Sequence, residues 1–203
     1  MSGEPGQVTI PARITALELA RTIGRELNEI QAVLRARSQP DSPSDVLDSD
    51  LAVETARILG IEVSVEPRDL ALEHLYEVDS RRLSEPEAPI PGRAGEIVAG
   101  VLSQTRELDT SIEKASQHWA VARMPVVDRA ILRLGLWELR EAPDIPTAVI
   151  VSEAVRLANT YSTGKSGAFI NGVLAARAGD IRGKDGAGAK RRYGDAEPLR
   201  TVL

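Results

Sequence analysis

Thr163-Gly164-Lys165-Ser166-Gly167 is the stretch of this sequence whose residue types come closest to nucleotide chemistry. A glycine-lysine-serine step closes the phosphate-binding loop. There, backbone amides cradle phosphate oxygens, the lysine reaches the terminal phosphates and the hydroxyl holds magnesium. That loop also needs a leading glycine, which would fall at position 159, and a strand before it. Position 159 is Asn159, and Ser152–Tyr161 has helical spacing. Spacing and context both fail, so a nucleotide hydrolase is rejected. The other candidates are weaker. Glu138 and Glu141 lie one turn apart, as many exposed helical acids do. His74 and His118 are far apart and no cysteine is present, which argues against a metal site and excludes disulfides. Trp119, beside His118, reads as a core or interface residue, not as part of a cofactor box. No catalytic set and no cofactor are expected.

The elements that must position these residues begin with composition. The chain has 203 residues, 42% hydrophobic and 27% charged, with net charge −5. Aromatics are only 3%, so aliphatic side chains must build the core. No apolar run approaches the roughly 18–20 residues of a membrane span, and the opening residues do not read as a signal peptide. A cytoplasmic protein is expected. Residues 1–66 carry 11 acids against 6 bases, and residues 67–178 carry 15 against 13. Any nucleic-acid site must therefore be a local patch.

Hydrophobic spacing predicts two blocks and a tail. In residues 1–66, Val8-Thr9-Ile10 reads as a strand. Thr15 and Glu18 match a capping box that opens a helix ending near Gly24. A second helix covers Glu26 to Arg37. Asp48 caps a third that runs through Leu59 and stops at Gly60, and Ile61–Val65 alternates as a strand. This is a small α/β unit. Residues 67–178 read as five to seven helices with no sheet, including a long pattern over Arg93–Ala122 that breaks near Asp109. Residues 179–203, rich in glycine and carrying Lys190-Arg191-Arg192, read as a disordered tail.

One longer pattern is more specific than any of these motifs. The ordered series Val127-Asp128-Arg129-Ala130-Ile131-Leu132-Arg133, Trp137-Glu138-Leu139, Asp144-Ile145-Pro146, Ser152-Glu153-Ala154, Leu157-Ala158 and Phe169-Ile170-Asn171-Gly172-Val173-Leu174 strongly resembles the C-terminal half of NusB transcription antitermination factors. Arg68 to Asp79 is similar to that family's first helix, so the resemblance covers about 67–178. It implies a mostly α, two-subdomain helical fold and a role without catalysis. The implied partners are NusE, a small-subunit ribosomal protein, and boxA, a short single-stranded RNA element. The implied setting is the RNA polymerase antitermination complex on ribosomal RNA operons, with the factor a monomer or homodimer. Tyr76 and Phe169 match the family's RNA-facing aromatics, and Arg133 its RNA-facing arginine. Taken alone, Phe169 would read as a core residue; the family match reverses that. Two departures stand out. Glu66-Pro67-Arg68-Asp69 replaces an arginine-rich segment, leaving Arg68. Lys165 sits where an acid is common. The expected RNA-binding set is Arg68, Tyr76, Arg133, Lys165 and Phe169. Asp128 and Arg129 are expected to hold the start of their helix.

The leading block, Val8 to Glu66, resembles the N-terminal module of bacterial-type translation initiation factor 2. The residues that carry this are Val8-Thr9-Ile10, Ile14-Thr15 with Glu18-Leu19-Ala20, Leu47-Asp48, and Leu59-Gly60-Ile61-Glu62-Val63. It implies docking to the ribosome, RNA or polymerase and not GTP hydrolysis. The acidic balance favours a protein contact. An alternative for the whole chain is a protein-only adaptor that binds NusE, the ribosome or polymerase with weak or lost RNA binding.

Overall fold

Thr15 opens the first helix as its side chain demands. Its Oγ1 accepts from the Glu18 amide at 3.2 Å, and Glu18 Oε2 accepts from the Thr15 amide at 3.0 Å. This reciprocal cap satisfies donors that no helix can satisfy within itself. In the computed structural model, residues 8–116 and 119–186 are described, with side chains through 183. Residues 1–7, His118 and the Lys190-Arg191-Arg192 cluster lie outside the described residues. The chain divides into two compact units, Met1–Glu73 and His74–Leu203.

The leading unit holds β1 (Val8–Ile10), β2 (Ile14–Thr15), α1 (Ala16–Ile23), α2 (Leu27–Ala36), β3 (Val46–Leu47), α3 (Ser49–Ile58) and β4 (Val63–Val65). It also holds the first turns of α4 (Pro67–Arg81). β1 pairs with β4 in parallel, Val8 opposite Val63 and Ile10 opposite Val65. A second, antiparallel pair joins Ile14 to Leu47 and Thr15 to Val46. Two-residue strands carry too little alternation to be read from sequence, and this pair was not expected. Asp48 caps α3 by accepting from the Leu51 amide at 2.9 Å. Gly24, with φ +67°, ends α1 in the left-handed region that glycine enters without a Cβ penalty. Ile10, Ile14, Leu19, Ile30, Leu34, Leu47, Ala52 and Ala56 form the core.

The second unit is helical throughout its described residues: the rest of α4, α5 (Gly92–Ser103), α6 (Thr105–Ser116), a 3₁₀ turn at Val121–Arg123, α7 (Val126–Glu141), α8 (Thr147–Tyr161) and α9 (Ser166–Gly186). Helix α7 is buried over most of its length and sits at the centre. Ile131, Leu132, Leu134, Leu136 and Leu139 are buried, and α5, α6, α8 and α9 pack on it. Trp137 fits because position 100 has no side chain. A Cβ on Gly100 would lie 2.2 Å from the indole nitrogen.

Two expectations need correction. The long helical pattern breaks at Gln104 and not near Asp109. Thr105 Oγ1 donates back to the Val101 and Leu102 carbonyls, both at 3.0 Å, competing with the backbone ladder at that point. The last helix also runs past Ala178, where the tail was expected to start. Arg182 explains why. Its guanidinium donates to the carbonyls of Leu139 (2.8 Å), Glu138 (2.9 Å), Ala142 (2.7 Å) and Ile145 (2.5 Å). It thereby caps the carbonyl end of α7, a favourable place for a cation. A glycine-rich composition concealed this long-range anchor.

Candidate nucleic-acid interface

The Gly164-Lys165-Ser166 step joins α8 to α9, with helix on both sides. Its shape is set by a carboxylate beneath it. Asp128, in the first turn of α7, is 2% exposed. Burying a carboxylate is costly unless its oxygens receive hydrogen bonds. Ser162 Oγ donates to Asp128 Oδ1 at 2.5 Å, and Ser166 Oγ donates to Oδ2 at 2.9 Å. Both serine protons are then used, so Thr163 Oγ1 is the donor in its 2.8 Å contact with Ser166 Oγ. The hydroxyl that suggested magnesium binding is buried in this lock. Asp128 was expected to hold the start of its own helix; it holds the start of α9 instead. Gly167 lets the lock close, since a Cβ there would meet Asn159 Oδ1 at 2.6 Å.

The lock leaves Lys165 exposed, with no carboxylate partner among the described residues. One turn on, the Phe169 amide donates to the Lys165 carbonyl at 3.4 Å. Phe169 is half-buried, and its ring lies 5.0 Å from that of Trp119, tilted by 47°. Trp119 is 40% exposed, which removes the core reading for it. Ser116 holds its backbone on both sides. The Trp119 amide donates to the Ser116 carbonyl at 3.2 Å, and Ser116 Oγ donates to the Trp119 carbonyl at 2.8 Å.

A second group lies on α4, α6 and α7. Arg133 Nε and Nη2 donate to the two oxygens of Asp109 at 2.7 and 2.8 Å, and Nη1 donates to Asp79 Oδ2 at 3.1 Å. Its side chain is only 13% exposed. Arg129 Nε donates to the same Asp79 oxygen at 2.7 Å, and its Nη1 reaches the Val121 carbonyl at 3.3 Å. Two guanidinium groups and two carboxylates make this cluster neutral. Arg129 therefore braces the turn ahead of α7, and Arg133 is engaged inside the fold. Tyr76 is 45% exposed, one turn before Asp79 on α4.

The structure thus brings Lys165, Phe169 and Trp119 together. It links Tyr76 to Arg133 through α4 and Asp79. Arg129 connects the groups, bonding Asp79 on one side and Val121, two residues after Trp119, on the other. Arg68 belongs to the leading unit, where it stands 3.8 Å from Glu66. Of the two readings of Trp119, core or interface, its exposure leaves the second; sequence reasoning missed Asp79 and Asp109 as the partners of Arg133. Glu138, read as an exposed acid, is buried. Among the described residues, no cluster of His, Cys, Asp or Glu could hold a metal ion, and no helix is long and apolar enough to cross a membrane.

This arrangement has known relatives. A family model described as the NusB family matches residues 65–178. The transcription antitermination protein NusB of Leifsonia xyli subsp. xyli is 42% identical over 121 residues, covering 59% of this chain and 84% of the relative. That of Geotalea daltonii is 39% identical over 140 residues, covering 59% of this chain and 97% of the relative. Among solved structures, T. maritima NusB aligns with a TM-score of 0.53 and 29% identity, covering 59% of this chain and 93% of that one.

Proposed function

The chain belongs to the NusB family, and from that premise we propose that it is a transcription antitermination factor which pairs with NusE and takes up boxA-type single-stranded RNA. In this reading it acts by binding, with no catalytic step, within the cytoplasmic RNA polymerase complex that transcribes ribosomal RNA operons. The observation that carries the RNA part is the start of α9. There the buried Asp128 lock presents Lys165 to solvent and sets Phe169 one turn behind it. A half-exposed ring beside an unpaired cation suits a single-stranded base and its phosphate. Tyr76, exposed on α4, supplies a further ring. Arg133 supports this surface from below by tying α4 and α6 to α7.

One observation favours a second reading. Arg133 is neutralised by Asp109 and Asp79, and only Arg68 remains of the basic segment. A protein-only adaptor, which keeps NusE and loses strong RNA binding, follows from the same facts. We read the leading unit as a docking module of the initiation-factor-2 N-terminal type, directed at a protein by its acidic balance.

Titration of the full chain with boxA RNA, with and without NusE, across salt concentrations separates the two. The antitermination reading requires RNA to add affinity to the NusE complex, with a clear salt slope. If RNA adds nothing even at low salt, the adaptor reading replaces it.

A further inference from the structure

We propose that Trp119 and Phe169 together form a stacking ledge for an unpaired RNA base, with Lys165 and Arg123 as flanking cations. This rests on the RNA-binding reading above and assigns to Trp119 a role that the sequence pattern did not suggest. The chain has two tryptophans, three tyrosines and one phenylalanine. A protein so poor in aromatics has little reason to leave an indole in water. Trp137 shows the ordinary use: it is buried against Gly100, with the Arg93 guanidinium 5.2 Å from its ring centre. Trp119 is used differently. It stays exposed with its ring 5.0 Å from Phe169.

At that separation and a 47° tilt, no base can insert between the two rings. They form one composite surface, whose free indole face can take a base by stacking. The ledge is preorganised. Ser116 fixes the Trp119 backbone from both its oxygens, and the Asp128 lock fixes the turn that carries Phe169. Little order has to be imposed when a base arrives. Charge matches the occupant. Arg123 follows Trp119 in the 3₁₀ turn, and Lys165 precedes Phe169 by one turn. Both are exposed and neither has a carboxylate partner among the described residues. The nearest acid in the lock, Asp128, is buried beneath its serines.

Intrinsic fluorescence tests this, because the second tryptophan is buried. The full chain is titrated with a single-stranded boxA RNA oligonucleotide, following both tryptophan emission and the anisotropy of labelled RNA. The expected result is quenching of wild-type emission in step with binding. Trp119→Phe removes the reporting indole, so its residual emission, from the buried Trp137, should show almost no quenching as RNA is added. Trp119→Ala should bind roughly 5- to 150-fold more weakly, the range for one base–aromatic stack, with thermal unfolding confirming that it remains folded. Lys165→Gln and Arg123→Gln should each lower the salt slope by about 0.7, one phosphate on a single strand. RNA binding without quenching, and with Trp119→Ala unaffected, overturns the ledge and leaves the RNA-binding reading standing. If NusE alone perturbs the Trp119 emission and RNA adds no change, the ledge is a protein contact and the proposal is wrong. Absence of RNA binding by wild type, with NusE present, overturns both.

Discussion

Replacing Arg133 with methionine should damage stability far more than RNA binding. The guanidinium donates three hydrogen bonds, two to Asp109 and one to Asp79, and so ties α6 and α4 to α7. Methionine keeps much of the aliphatic stem and removes the charge. Asp79 then keeps only Arg129, and Asp109 has lost its guanidinium partner. Removing one partner of a fully buried pair costs about 3–5 kcal/mol. Here the side chains of Arg133, Asp79 and Asp109 are 13%, 24% and 28% exposed, so water recovers part of that cost. About 2–3 kcal/mol is the corresponding expectation, or a fall in Tm of roughly 5–10 °C for a unit of this size. The assay is thermal and denaturant unfolding of Arg133→Met, Asp109→Asn and the double variant. The double variant should recover part of the loss, because the stranded charge is gone. The salt slope of RNA binding should stay within about 0.3 of wild type, where loss of a phosphate contact would remove about 0.7. An unchanged Tm with a slope reduced by the full amount would show that Arg133 faces RNA and that the ion network is not what holds it.

Three further outcomes follow from the packing. Ser166→Ala removes one of two hydroxyls from the buried Asp128 and should cost about 1–3 kcal/mol, and weaker RNA binding should accompany the loss as Lys165 and Phe169 shift; stability within about 0.5 kcal/mol of wild type by urea unfolding would contradict the lock. Gly100→Ala places a methyl group 2.2 Å from the Trp137 indole nitrogen and should destabilise by about 1–3 kcal/mol, with a visible change in Trp137 emission measured in a Trp119→Phe background. Burial pushes the Glu73 carboxyl above its usual value of 4.5; the Ser49 hydrogen bond opposes the rise, and nearby Asp48 adds to it. As pH climbs from about 4.5, the unfolded chain releases this proton first, so the leading unit loses stability until the folded group has also ionised. The Glu18 carboxyl, lowered by its hydrogen bonds to Thr15, acts in the opposite sense. The readout is therefore a difference: stability measured from pH 4 to 7 should fall less in Glu73→Gln than in wild type, and parallel curves would rule Glu73 out.

Features that depend on local spacing are legible in the chain alone. The Thr15–Glu18 box, the Asp48 cap, the turn at Gly24 and the apolar faces of the helices are written in short stretches of chain, and the family pattern over residues 127–174 is an ordered series of such stretches. The failure of the phosphate-loop reading was local too, since Asn159 and the helical run before Gly164 were visible at once. The remaining features depend on partners far apart in the chain. Arg133 meets Asp109 and Asp79, 24 and 54 residues away. Arg182 reaches the carbonyl end of α7, about 40 residues away, and that contact turns a glycine-rich stretch into ordered helix. Trp119 meets Phe169 only when α9 folds back beside the turn ahead of α7. A charged or aromatic side chain reads the same in sequence whether it is engaged or free. Its neighbours in space, and the water left to it, decide which.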